Sequence, residues 1–277
     1  MRAAMHVLVG GCGWLGTAVA RACLARGDRV AAVRRDPARA EALRALGAEP
    51  LALDLADPAS AERLPDGIEA VVACQAAGAD GVAPYRRAYV DANRTLLAAA
   101  RRVGARAFVY TGSTGVFGQR DGGEVDEATA PAPAGPAAEV LVEAERLVLG
   151  AASPDLRACV VRLSGLYGPG RAAILDRVRR GVLALGPGDE AWMNFCHLDD
   201  AVAAVLAALE RGRPGGIYHG TDAAPARRRE VVEWIAGRLG IRPPRGERGS
   251  GAPGSRGGAN RRVLGNRTRA ELGLALR

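Results

Sequence analysis

Short apolar runs alternate with amphipathic stretches through the first two-thirds of this 277-residue chain. The runs fall at residues 7–9, 29–33, 50–54, 70–74, 107–111 and 158–163. Each is followed by small or polar residues, as expected of parallel strands covered on both faces. Helical periodicity occupies 15–26, 38–46, 85–103 and 137–149 between them. In the first of these, Leu15, Val19, Ala22 and Cys23 share one stripe, and Gly27 supplies a C-terminal stop. The alternation predicts an α/β fold with a doubly wound parallel sheet. It also makes the residues just beyond each strand the place to look for chemistry.

Between the first strand and the first helix stands GGCGWLG, residues 10–16. Gly11, Gly13 and Gly16 make G-x-G-x-x-G, while Gly10, Gly13 and Gly16 make G-x-x-G-x-x-G. A strand turning sharply into a helix aims the helix's first free N–H groups at an anion. Glycine is needed where the backbone takes positive φ or where a side chain would hold a phosphate away. Gly16 lets the helix lie close against the strand. Strand, turn, helix and second strand in this order form one βαβ unit and point to a dinucleotide. The residues expected to meet it here are Gly10, Gly13, Trp14, Leu15 and Gly16. The chain accordingly divides into a NAD(P)-binding Rossmann domain over residues 1–165 and a smaller substrate lobe over 166–277, interleaved with the same sheet.

Composition narrows the chemistry. The net charge is +8, and every one of the 38 basic side chains is arginine. No lysine can form a Schiff base, lower a neighbouring tyrosine's pKa or act as a general base. The five cysteines (12, 23, 74, 159 and 196) are scattered without metal spacing, which reads as a reduced, cytoplasmic protein. No signal peptide is evident, and the opening apolar run of about five residues is far short of the roughly 18 that span a bilayer. Residues 128–138 (Pro/Ala-rich) and 242–262 (Gly, Arg, Pro and Ser) are expected to be poorly ordered loops. The second lacks the interleaved aromatics of a nucleic-acid binder, so a solvated loop is the better reading.

The strand ends carry the specific expectations. The second strand ends Val33-Arg34-Arg35-Asp36, where arginine suits the 2′-phosphate of NADP and a carboxylate would suit NAD. Asp36 lies close enough to keep NAD open. Asp54 and Leu55 follow the third strand, where a carboxylate could accept from the adenine amino group. Gln75, Ala76 and Ala77 follow the fourth and would let a ribose lie against backbone. The fifth runs into Tyr110-Thr111-Gly112-Ser113-Thr114-Gly115, whose hydroxyls would stand beside a nicotinamide and a substrate oxygen or simply cap the loop.

GGCGWLG, YTGSTGVFG, VVRLSGLYGPGR and NFCHLDDAV, in that order, resemble the extended short-chain dehydrogenase/reductase superfamily, and within it the NAD-dependent epimerase/dehydratase group. The resemblance covers most of the chain, from Val7 through the helix at 231–239. Trp14 stands where the group commonly has phenylalanine. The resemblance implies a serine or threonine after the fifth strand, here Ser113, with a tyrosine and a lysine in Y-x-x-x-K on the next helix. Those two positions fall on Ala137 and Leu141. With no lysine in the chain and no tyrosine between Tyr110 and Tyr167, no shift of alignment restores the pair. The chain therefore resembles the atypical branch, which keeps the cofactor fold without the usual acid/base dyad.

Hydride transfer needs a positioned nicotinamide, a substrate carbon and a proton route. Ser113 and Thr114 are the candidate catalytic groups, with bound water or the substrate as proton source. Tyr167, Arg171 and Asn194, with Arg162, flank the lobe where the group binds substrate, and an arginine anchor there would imply an anionic or polyhydroxylated ligand. His197 reads as structural, with Asp199 and Asp200 capping the next helix. The leading expectation is an NADP(H)-dependent oxidoreductase or epimerase-like enzyme acting on a small polar metabolite or nucleotide-sugar. The alternative is a non-catalytic NADP(H)-binding redox sensor. The 85–103 helix could serve a homodimer interface or simply pack on the sheet.

Overall fold

The computed structural model of the protein describes residues 3–186, 189–245 and 259–276. β1 (His6–Gly10) passes through the glycine turn into α1 (Trp14–Ala25) and returns as β2 (Arg29–Arg34), parallel to β1. α2 (Pro37–Glu41) and a 3₁₀ turn lead to β3 (Glu49–Ala52), and a second 3₁₀ turn at Pro58–Arg63 leads to β4 (Ala70–Ala73). The stretch read as one helix over 85–103 is α3 (Val82–Tyr85), a π-helical segment (Arg86–Asp91) and α4 (Ala92–Arg102), end to end. Then come β5 (Ala107–Ser113), β6 (Glu124–Val125), α5 (Pro136–Leu149), β7 (Arg157–Leu163) and β8 (Gly165–Tyr167). The chain continues through α6 (Ala173–Arg179), β9 (Trp192–Met193), β10 (Phe195–His197) and α7 (Leu198–Arg211). It closes with β11 (Ile217–Gly220), β12 (Ala226–Arg227), α8 (Arg228–Leu239), β13 (Arg262–Val263) and α9 (Asn266–Leu272).

Seven strands form one parallel sheet in the order β11-β7-β5-β4-β1-β2-β3. Strand alternation sorts the core into two layers. Val7 and Val9 face a cluster with Leu15, Val19 and Val205, from α1 and α7. Leu8 faces the other way, with Leu96, Val140 and Val148 from α4 and α5. Chain order reverses between β1 and β4, so the crevice between their carboxyl ends is the switch point where doubly wound sheets bind ligands. The glycine turn stands on that crevice.

The seventh strand, β11, lies beyond the runs anticipated from the apolar pattern, and it brings the C-terminal part of the chain back into the sheet. Beside the sheet, Val178, Leu183 and Leu185 pack on Val232, Ile235 and Ala236 to make a second, small core between α6 and α8. One of the two loop expectations needs correction, and most of the other falls outside the described residues. Residues 128–138 are tied down, because Ala132 donates to Val116 O at 3.0 Å and accepts from Gly118 N at 2.7 Å. In the 242–262 stretch, residues 246–258 lie outside the described residues. Its ends are held: Pro244 O accepts from Leu185 N, and Arg262 pairs with Glu124 through β13 and β6. No helix among the described residues is long and apolar enough to cross a membrane.

Candidate functional site

The glycines of the turn divide their work. Gly11 takes φ +83°, and any Cβ there would fall on the Gln75 backbone. A Cβ on Gly16 would strike Gly11 O, and one on Gly10 would come within 2.8 Å of Leu96 Cδ1. These three permit close packing of turn, helix and sheet, and neither Gly10 nor Gly16 lines the cleft above. Gly13 does line it, and a Cβ there would meet nothing within 4 Å. The turn is pinned to β2 by Gly11 N and Cys12 N, which both donate to Val33 O. Gly13 caps α1 without a side-chain bond, and the first turn of α1 holds no acidic residue. No carboxylate of the helix's own first turn therefore offsets its positive end.

The cleft over the strand ends has a volume of about 1360 Å³, above the usual range for a single drug-sized ligand and roomy enough for a dinucleotide beside a small substrate. At its β2 end stand Arg34, Arg35 and Arg39, the last unforeseen from the sequence. Arg34 Nη1 donates to Cys12 O at 2.9 Å. Asp36 lies among them, but its carboxylate accepts from Arg39 N at 2.8 Å as the N-cap of α2. Asp54 and Leu55 line the next wall, with Asp54 Oδ2 2.9 Å from Arg87 Nη2 and Oδ1 accepting from Ala56 N.

Gln75 and Ala76 line the floor, whereas Ala77 does not. Gln75 Nε2 donates to the fully buried Asn93, and Gln75 Oε1 is buried with no hydrogen-bond partner among the described residues. An orphaned buried acceptor costs free energy, and a ligand donor above it would remove that cost. The π-helical segment carries Tyr89 to the same wall, where its hydroxyl accepts from Ala77 N at 3.4 Å.

At the β5 end, Ser113 Oγ accepts from Gly115 N at 3.0 Å while the residue lines the cleft. Thr114 is more deeply buried and donates to Leu163 O at 3.4 Å, which ties β5 to β7. Leu141 lines the cleft from α5 and packs with Val116, Val125 and Val263. Tyr110 is fully buried, and burial raises its phenol well above the ordinary value, so it stays protonated.

Tyr167 lines the lobe side, edge-on to His197 with ring centroids 5.2 Å apart. His197 itself caps α7 by accepting from Asp199 N at 3.2 Å, so the cap is the histidine and the two aspartates occupy the first turn. Asn194 lines the cleft too, but both ends of its amide are committed to backbone, Nδ2 to Arg261 O and Oδ1 from Val263 N. Arg171 stands over Trp14, and Arg177 and Arg261 complete the lobe wall. Arg162, expected to flank the substrate lobe, does not line the cleft. It is 1 % exposed inside the protein, forked onto Glu145 at 2.8 Å, and cannot reach a substrate. Burial pushes the Glu145 carboxyl up against the opposing pull of that guanidinium.

Residues 6–219 match the NAD dependent epimerase/dehydratase family. The chain belongs to that family. Among its relatives, a 3-diazoavenalumate denitrifying reductase from Streptomyces sp is 35% identical over 259 residues, 87% of this chain and 84% of the relative. A 4-hydroxy-2-methyl-3-oxo-4-farnesyl-3,4-dihydroquinoline-1-oxide ketoreductase from Stigmatella aurantiaca is 31% identical over 250 residues, 85% and 73% of the two chains. The solved structure of a functionally unknown conserved protein from Silicibacter pomeroyi DSS superposes with a TM-score of 0.77 at 28% identity, over 98% of this chain and 93% of that one. Among the described residues, no group of His, Cys, Asp and Glu could hold a metal ion.

Proposed function

We propose that this chain is a reductase of the atypical type that takes NADP(H) in preference to NAD(H) and acts on a small anionic substrate. The observation that carries the reading is the continuity of one cleft, from Gly13 at the helix N-terminus to Ser113 at the end of β5. Gly13 leaves the room that a pyrophosphate needs. The unpaired Gln75 Oε1 on the floor offers an acceptor that a ribose hydroxyl would satisfy. Both relatives named above are reductases on unlike substrates, which supports the reaction class and leaves the substrate to this chain's own side chains.

NADP(H) preference rests on Arg34, Arg35 and Arg39 grouped at the end of β2 while Asp36 is occupied in capping. A 2′-phosphate there meets fixed positive charge and forked donors. An anionic substrate rests on Arg177 and Arg261 in the lobe wall. When bound, the reduced nicotinamide supplies the hydride. Ser113 orients the substrate oxygen, water or the substrate supplies the proton, and Leu141 keeps the α5 side of the site apolar where the family resemblance puts a lysine.

A panel of anionic carbonyl compounds, followed by loss of nicotinamide absorbance, tests the reading. Ser113→Ala should slow turnover by about tenfold or more with cofactor affinity unchanged. Full activity in that variant would remove Ser113 from the mechanism. The apolar face that Leu141 gives the cleft favours one further reading, a nicotinamide-binding sensor without turnover. Tight cofactor binding with no oxidation by any member of the panel would decide for it.

A further inference from the structure

The sequence leaves Arg171 to the substrate, but the folded chain sets its guanidinium over Trp14, at the start of α1. β8 ends at Tyr167 and runs into a tight turn, Gly168-Pro169-Gly170-Arg171. The turn is closed by two backbone hydrogen bonds, Gly168 N to Arg171 O at 3.2 Å and Arg171 N to Gly168 O at 2.9 Å. Gly168 and Gly170 both take positive φ, +150° and +74°, a backbone that a side chain at either position would strain.

That neighbour is Trp14, the first residue of α1. Its indole Nε1 donates to Pro169 O at 2.8 Å. A Cβ on Gly168 would stand 3.5 Å from Trp14 Cζ2. Phenylalanine at position 14 could offer the ring but not the hydrogen bond. The guanidinium of Arg171 then lies over the indole face, 5.3 Å from its centroid. Stacking on an aromatic face orients a long side chain and leaves its N–H donors free to bind.

Gly13, the residue before Trp14, opens onto the same cleft. Among the described residues no carboxylate pairs with Arg171, and the first turn of α1 carries no acid. We infer that Arg171 is the cationic anchor of the cofactor's pyrophosphate, seated there by Trp14 and the 168–171 turn. The inference rests on the nicotinamide-dinucleotide reading above and assigns to it a residue of the turn whose Pro169 carbonyl accepts from the Trp14 indole, 155 positions further along the chain. The pyrophosphate would be held on one side by the N–H groups of α1 and on the other by a forked guanidinium.

Calorimetric titration of the full chain with NADPH, NADH and ADP-ribose tests this. ADP-ribose carries the pyrophosphate and lacks the nicotinamide. Arg171→Ala should weaken all three by a similar factor, about tenfold, since each presents the same pyrophosphate. Trp14→Phe should shift all three in the same direction by about threefold, because the stack survives and the bond to Pro169 is lost. Arg171 is exposed, so its variant should melt with the wild type. Unchanged affinity for all three ligands in Arg171→Ala would overturn the inference and leave the cofactor reading standing. Loss confined to NADPH and NADH would also overturn it, by placing Arg171 at the nicotinamide. A folded wild type that binds none of the three would remove the cofactor reading, and this inference with it.

Discussion

Asp222, on the loop after β11, shows how a single carboxylate near the lobe responds to its surroundings. Its Oδ1 is buried without a hydrogen-bond partner among the described residues. Burial pushes its carboxyl up to about 6, with Asp200 adding to the rise. The sign follows from proton counting. Between the ordinary carboxylate value and about 6 the folded chain holds a proton that the unfolded chain has released. Stability is therefore favoured at low pH and falls as pH rises through that window. Asp222→Asn should raise the melting temperature at pH 7.5 and change it little at pH 4.5. The gain is about 1 kcal/mol once solvent screening of a half-buried group is allowed for. Equal shifts at the two pH values in scanning calorimetry would contradict the assignment.

The β1–α1 turn supplies the sharpest test at the level of an element, because its glycines serve different ends. Gly11→Ala forces a side chain into positive φ against the Gln75 backbone, so the fold itself should weaken by about 1–3 kcal/mol or more. Gly13→Ala meets open space, so the protein should melt within a degree or two of wild type while losing most of its cofactor affinity. Denaturation and cofactor titration on the two variants check both outcomes, and parallel behaviour in them would contradict the division of labour. This element was legible in the sequence because glycine spacing reports backbone constraint directly. What the spacing could not say was which glycine opens onto the cleft, since that depends on Gln75 and Leu96, brought in by other elements. Arg162 was misread for the same reason. Its motif marked it as near the site, but its partner Glu145 sits on α5 and faces the same buried layer only once β7 and α5 pack. β11 was missed because its short Ile217–Gly220 run includes a histidine, His219, whose burial is balanced by bonds to Leu264 and Thr268 far along the chain.

For the molecule as a whole, the parallel order β11-β7-β5-β4-β1-β2-β3 puts the glycine turn, the β2 arginines, Ser113 and the lobe wall around one cleft. Residues more than 200 positions apart, Gly13 and Arg261 among them, line the same space. The central claim is that this space takes a nicotinamide dinucleotide, with the phosphate-bearing form preferred. Titrating NADPH and NADH into the wild type and into Arg34→Ala, read by quenching of intrinsic fluorescence, tests it most directly. The account predicts saturable binding of both by the wild type, NADPH the tighter. Arg34→Ala should lose about tenfold in NADPH affinity and almost none for NADH. Absence of binding by a folded wild type would contradict the cofactor claim, and equal NADPH affinity in Arg34→Ala would contradict the preference.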